Sequence, residues 1–216
     1  MPGRRLTVVA FGGNALIRRG EEGTQTEQIE NSDRLAKRLV PLVERGPLLL
    51  VHGNGPQVGN ILIQVEEAVT KVPPVSLDVC VAQSEGSIGY LLARSLVNAL
   101  EKKRLRNEVV CLMTPVLVDR ADPGFRKPTK PIGPFYTRYR AEYLMKRQGW
   151  LMVEDSGRGY RKVVASPKPA KILALRAIRE CLDQGWVVIA AGGGGIPVWR
   201  SEEGRLKGVE AVIDKD

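Results

Sequence analysis

The chain has 216 residues, 33 Lys and Arg against 24 Asp and Glu (net charge +9), and 43% hydrophobic residues. That length holds one sizeable core with at most a small appended subdomain, and the apolar fraction is ordinary for a folded chain, which argues against disorder. Cys80, Cys111 and Cys181 are too widely spaced for a CxxC metal pair, and an odd set of three makes no disulfide framework. No stretch approaches the ~20 apolar residues of a membrane span, and the apolar run after the basic N-terminus is too short for a secretory signal. A soluble cytoplasmic protein with no membrane partner is expected.

Taken in chain order, apolar runs alternate with stretches of helical period, the pattern of a parallel sheet with crossover helices. Leu6–Ala10 reads as a strand and ends in Phe11-Gly12-Gly13-Asn14. Residues 25–44 read as a helix, with Ile29, Leu35, Ala36, Leu39 and Val43 on one face, a kink or stop at Pro41, and an end at Gly46. Leu48–Val51 is a second strand, ending in His52-Gly53-Asn54-Gly55-Pro56, and a helix over about 58–70 follows. A long helix is expected over 77–103. Gly86 and Gly89 lie inside it at a cost of ~1 kcal/mol each against Ala, so close approach of another helix is a natural reason for them.

Residues 108–119 read as one further strand. From Arg120 to Pro167 the chain changes character. Pro123, Gly124, Pro128, Pro131, Gly133 and Pro134 predict an extended loop, 141–148 a short helix, and Asp155–Gly159 a hairpin turn between two strands. A protruding subdomain over about 120–167 is the reading. Residues 167–184 return to helical period, 186–191 form a strand, and Gly192–Gly195 make a third glycine turn. The fold class is therefore α/β, a three-layer sandwich on a mainly parallel central sheet with a small protruding subdomain.

Three strand-ending glycine turns fall on one edge of such a sheet, where ligands bind. Glycines let backbone N–H groups approach a ligand closely. The helix starts beyond them add unpaired donors and partial positive charge, which suit anions and phosphate above all. Gly12, Gly13, Asn14, Gly53, Asn54, Gly55, Gly193 and Gly194 are the candidate phosphate- and substrate-binding residues. Lys130, in a loop stiffened by proline and glycine, and Lys215, between Asp214 and Asp216, are candidates for neutralising a phosphoryl group. No Walker A sequence occurs. Nothing in the sequence resembles a Ser-His-Asp set, and a single histidine, His52, with three scattered cysteines makes a zinc site improbable, so Mg²⁺ carried by nucleotide phosphates is the metal expected. The basic runs at 102–106 and 126–147 carry few aromatics, which speaks against a nucleic-acid platform.

Five blocks give the chain a resemblance to the carbamate kinases, a branch of the amino-acid kinase family. They are residues 10–16, 52–59, Lys130–Tyr136, Ala191–Val198 and Ala211–Asp216, in that order along the chain. The resemblance implies reversible phosphoryl transfer between ATP and carbamate, giving ADP and carbamoyl phosphate. It implies that Gly12, Gly13 and Asn14 hold the moving phosphoryl group and that Gly53, Asn54 and Gly55 bind the carbamate side. Lys130 and Lys215 would then neutralise charge, with Asp216 orienting them. It also implies a homodimer with the 77–103 region near the subunit interface. In that family a nucleotide lobe follows the last motif, so 1–216 is expected to be the carbamate- and phosphate-binding lobe, with little turnover by itself. The residues alone leave open another amino-acid kinase, a non-catalytic ligand-binding or dimerising lobe, or, on charge only, a nucleic-acid binder.

Overall fold

The computed structural model describes residues 5–12, 15–18 and 20–214. In chain order its elements are β1 (Thr7–Phe11), α1 (Gln25–Arg45), β2 (Leu48–His52), α2 (Gly55–Ala68), α3 (Leu77–Lys102), β3 (Val109–Leu112), β4 (Pro115–Val118), α4 (Pro123–Arg126), β5 (Lys130–Tyr136), α5 (Arg138–Gln148), β6 (Met152–Glu154), β7 (Tyr160–Val164), β8 (Pro169–Ile172), α6 (Leu175–Asp183), β9 (Val187–Ala190), β10 (Ile196–Arg200) and β11 (Leu206–Gly208).

The central layer is a parallel sheet in the order β1-β2-β9-β3. Alternation along its strands decides which helix each residue meets. Leu48 and Leu50 on β2, and Val187 and Ile189 on β9, face α1 and α3 in one aliphatic cluster with Leu39, Val43, Leu92 and Leu96. Val188 and Ala190 face the other way, onto Ile178 and Leu182 of α6. Each such buried aliphatic side chain contributes about 1.5–3 kcal/mol relative to exposure, so the three layers are held by the sheet's two faces together. α1 starts at Thr24, whose hydroxyl accepts from Glu27 N–H while the Glu27 carboxylate accepts from Thr24 N–H, a reciprocal cap.

A second sheet, β11-β10-β4-β8, continues the first. β3 and β9 run side by side out of the central sheet, and their continuations β4 and β10 pair again, still parallel. Between the last pair of one ladder, Leu112 with Ala190, and the first of the next, Pro115 with Ile196, lie Met113 and Thr114 on one strand but 191–195 on the other. The glycine turn is this local excess of chain. A third sheet, β5-β7-β6, is antiparallel and carries α5 against it through Ala141, Leu144 and Met152.

Several local expectations are corrected. α1 runs through Pro41 to Arg45. Pro41 and Lys37, whose carbonyl loses its helical partner, both lie on the exposed side, where water can take the bond. Residues 108–119 are two strands in two sheets, β3 and β4, and 167–184 are a strand and a nine-residue helix, β8 and α6. The Pro/Gly-rich stretch from Lys130 is strand β5 rather than loop. It lies on the edge of its sheet, where a missing N–H costs no ladder bond. Gly89 meets no other helix. A Cβ there would run into the Cys111 side chain on β3, and Gly86 faces open space.

Candidate phosphate site at the glycine turns

The turns after β2 and β9, together with Gly12 at the end of β1, meet at the carboxyl edge of the central sheet. A cavity of about 180 Å³ there is lined by Gly12, Gly53, Asn54, Gly55, Lys130 and Gly193, with Ile213 and Asp214 closing one wall. At ~30 Å³ per water it admits a small polyatomic anion. Larger hollows elsewhere, such as one of about 500 Å³ between α1 and α3, gather none of these turns.

The donors in this cavity are left open by the way neighbouring groups are used. Asn54 is the residue before α2, yet its side chain does not cap the helix; its Nδ2 donates to Ser84 Oγ at 2.8 Å. The first helical hydrogen bond is Val58 N–H to Asn54 O, 2.9 Å, so the first-turn N–H groups of Gly55 and Gln57 precede it. That is the open, partially positive helix end that binds anions. Pro56 suits the same turn because its missing N–H would be unpaired anyway.

The third turn is held more tightly. Ala191 N–H donates to Thr114 Oγ1 at 2.8 Å, Gly192 N–H to Glu85 Oε1 at 2.9 Å, Gly194 N–H to Ala191 O, Gly195 N–H to Gly192 O and Ile196 N–H to Thr114 O. Gly193 N–H alone in this run has no protein acceptor among the described residues. Ala191 (φ 52°), Gly193 (φ 65°), Gly194 (φ 90°) and Gly195 (φ 96°) are all left-handed. For Ala191 that conformation costs about 1–2 kcal/mol, so the surrounding bonds must impose it. A Cβ on Gly193 would overlap the Asn54 amide, and one on Gly194 would sit 2.9 Å from Ile213 Cγ2. Gly193 thus lines the cavity, whereas Gly194 packs behind it on 213–214.

Lys130 begins β5, and its Nζ pairs with the Asp214 carboxylate across the cavity mouth, both side chains being partly exposed. β5 is seated by α2. A Cβ on Gly59 would lie 2.9 Å from Gly133 Cα, and the nearly buried Glu66 carboxylate binds Tyr136 and Arg140 of the subdomain.

Below the turns lies a buried polar layer. His52 Nδ1 meets Gly53 O at 3.1 Å, while Nε2 has no partner among the described residues, and burial pushes the imidazole pKa down. Glu85 is fully buried and accepts from Thr114 N–H at 3.0 Å as well as from Gly192 N–H. Burial pushes its pKa up, against the two backbone donors that favour the ionised form.

A model of the amino acid kinase family matches residues 5–208. The chain belongs to the amino acid kinase family. It is 46% identical over 219 aligned residues to the carbamate kinase of Pyrococcus horikoshii, an alignment covering 100% of this chain and 69% of that protein. Among solved structures, carbamate kinase from Giardia lamblia bound to citric acid superposes with a TM-score of 0.91 at 38% identity, over 100% of this chain and 70% of that one. The same enzyme bound to AMP-PNP gives 0.89 at 38% identity, over 100% and 68%. Within the family the chain is a phosphotransferase of the carbamate kinase type.

Of the site residues read from the sequence, the fold brings Gly12, Gly53, Asn54, Gly55, Lys130 and Gly193 to one cavity. Gly13, Asn14, Lys215 and Asp216 lie outside the described residues. Sequence reasoning missed Ser84, Glu85 and Thr114. A signal for Glu85 was present: it falls four residues after Val81 and three before Ile88, on the buried stripe of an otherwise aliphatic helix.

Proposed function

We propose that this site carries reversible phosphoryl transfer between carbamoyl phosphate and ADP, giving carbamate and ATP. The observation that carries the reading is the convergence of an uncapped helix start, a Gly193 N–H with no acceptor among the described residues, and Lys130 on one small cavity, in a chain of the carbamate kinase type. Phosphoryl transfer asks for positioning and charge neutralisation rather than covalent help. Gly12, Gly13 and Asn14 hold the phosphoryl oxygens, and Gly53, Asn54 and Gly55 receive the carbamate end. Lys130 and Lys215 offset charge on the oxygens as the bond from phosphorus to the carbamate oxygen breaks and that to ADP forms, with Asp216 orienting them. Carbamate leaves as an anion, so no general base is needed.

Among the described residues no group of three or more His, Cys, Asp or Glu could hold a metal ion, and Asp214, the acid lining the cavity, is occupied with Lys130. These donors do not fit a protein-held cation. Mg²⁺ is assigned instead to the nucleotide phosphates, which supply oxygen ligands of their own. No helix of the described residues is long and apolar enough to cross a membrane; a cytoplasmic homodimer associating near α3 completes the proposal.

The test is ATP formation from ADP with carbamoyl phosphate, acetyl phosphate and aspartyl phosphate offered separately. In a chain that also carries a nucleotide lobe, turnover at ~1–10³ s⁻¹ with carbamoyl phosphate and little with the others is expected, while residues 1–216 by themselves turn over little. Equal use of acetyl phosphate, or no turnover by the chain with its nucleotide lobe, overturns the assignment.

A further inference from the structure

We infer that Glu85 is a positioning residue of the phosphoryl-transfer site: its buried carboxylate, with Thr114, fixes the glycine turn so that Gly193 N–H is presented to an anion in the cavity. The inference rests on the proposed phosphoryl-transfer reading and adds two residues that touch no substrate.

The geometry is specific. Glu85 sits on α3 beneath the place where the strand pair crosses from the first sheet to the second. One oxygen accepts from Thr114 N–H on the short crossing strand, at 3.0 Å, and the other from Gly192 N–H on the long one, at 2.9 Å. Thr114 repeats the link, taking Ala191 N–H at 2.8 Å on its hydroxyl and Ile196 N–H at 2.9 Å on its carbonyl, while the hydroxyl donates to Leu112 O at 2.7 Å. The two ends of the turn are therefore tied to one residue and its base to another. Among the described residues, every N–H from Ala191 to Ile196 is consumed except that of Gly193, which lines the cavity. Gly192 has to be glycine for the same reason, since a Cβ would run into His52 and lie 2.9 Å from Glu85 Cγ.

The choice of side chain follows from the need. Two backbone donors from different strands must be met by two acceptors on one rigid plane, and an ionised carboxylate is acceptor-only. An aliphatic side chain would leave both N–H groups buried and unpaired. A glutamine offers one oxygen and sets its NH₂ against the second donor. Among the described residues Glu85 makes no salt bridge; its carboxylate is spent on the Thr114 and Gly192 N–H groups. Its buried position is explained by the turn it shapes.

The experiment compares Glu85→Ala, Glu85→Gln, Thr114→Val and Thr114→Ser in the intact protein, reading kcat, the KM for ADP and for carbamoyl phosphate, and thermal unfolding. Glu85→Ala is expected to lose on the order of 10²-fold in kcat, the scale of a misplaced reacting group, with the ADP KM little changed. Glu85→Gln should recover at least tenfold of that loss, and Thr114→Ser should exceed Thr114→Val. A merely structural role would instead lower the unfolding temperature and leave kcat untouched below it, which overturns the inference. So does a Gln variant no better than Ala. If Glu85→Ala does not fold, the Gln variant and the Thr114 pair decide by the same criteria. A wild-type chain that carries a nucleotide lobe and still fails to make ATP rejects the proposed function itself. The clamp is then judged separately by amide exchange at Ala191, Gly194 and Gly195, which must quicken in Thr114→Val but not in Thr114→Ser.

Discussion

The two ends of the central strands are made of different material. Toward their starts, β2 and β9 bury Leu48, Leu50, Val187 and Ile189 against the aliphatic faces of α1 and α3. At their carboxyl ends the same layer buries His52, Ser84, Glu85 and Thr114, all at 0% exposure. Aliphatic packing is non-directional and supplies stability; it cannot hold a backbone that has left its ladder. Where the strand pair crosses between sheets with unequal lengths, buried donors need acceptors at fixed points, and polar side chains provide them. One end stabilises the fold and the other shapes it for an anion.

This contrast breaks first at Lys130. Lys130→Ala should lower kcat by about 10²–10³, the cost of one preorganised donor, with thermal unfolding little changed because the side chain is partly exposed. A loss confined to KM would place Lys130 in ground-state binding only. At the aliphatic end the pattern should reverse. Leu92 is fully buried between α3 and the sheet, and Leu92→Ala should cost about 2–5 kcal/mol in chemical unfolding, with kcat per folded molecule near wild type. A kcat loss matching that of Lys130→Ala would erase the division of labour.

Gly59 tests the link between the two. Its Cα faces Gly133 on β5 so closely that an added methyl meets backbone, which cannot turn aside. Gly59→Ala should cost about 1–3 kcal/mol as overpacking, and because β5 carries Lys130, kcat should fall as well. Stability loss with unchanged kcat would mean that β5 moves without Lys130.

Legibility in the sequence divides along the same line. The α1 stripe, β2, the span of α3 and the β6–β7 hairpin follow from periodicity and turn residues, because aliphatic faces and glycine turns are local signals. Residues 108–119 read as one strand because Met113 and Thr114 are ordinary strand residues. Only the pairing with β9 and β10 reveals the change of sheet. Pro131 and Pro134 read as loop because edge position is a tertiary fact. In the site, the glycines and Lys130 were legible as residue types. Glu85 was legible only as a charge on a buried stripe, since its two partners lie 29 and 107 residues away.

The smallest expected effect is the most diagnostic of the polar layer, because its two titratable members push stability in opposite directions. His52 is the protein's single histidine. Burial holds its folded pKa below the ordinary value near 6.5. As pH falls through 6.5 the unfolded chain takes up a proton that the folded chain refuses, so stability drops, by at most about 0.7 kcal/mol between pH 7 and 6. Glu85 has its folded pKa raised by burial. Over the interval between its ordinary value and the raised one, the folded chain holds the extra proton, so its share of stability improves as pH falls. His52→Gln should therefore remove the acid-side loss, and the Cε1–H resonance of wild-type His52 should titrate with its midpoint below 6.5. Cys111 packs nearby, but its thiol is pushed up to about 11 by burial and the Glu85 charge, far outside this window. A resonance that titrates at the ordinary value would mean that water reaches Nε2, and that the layer beneath the glycine turns is wet rather than sealed.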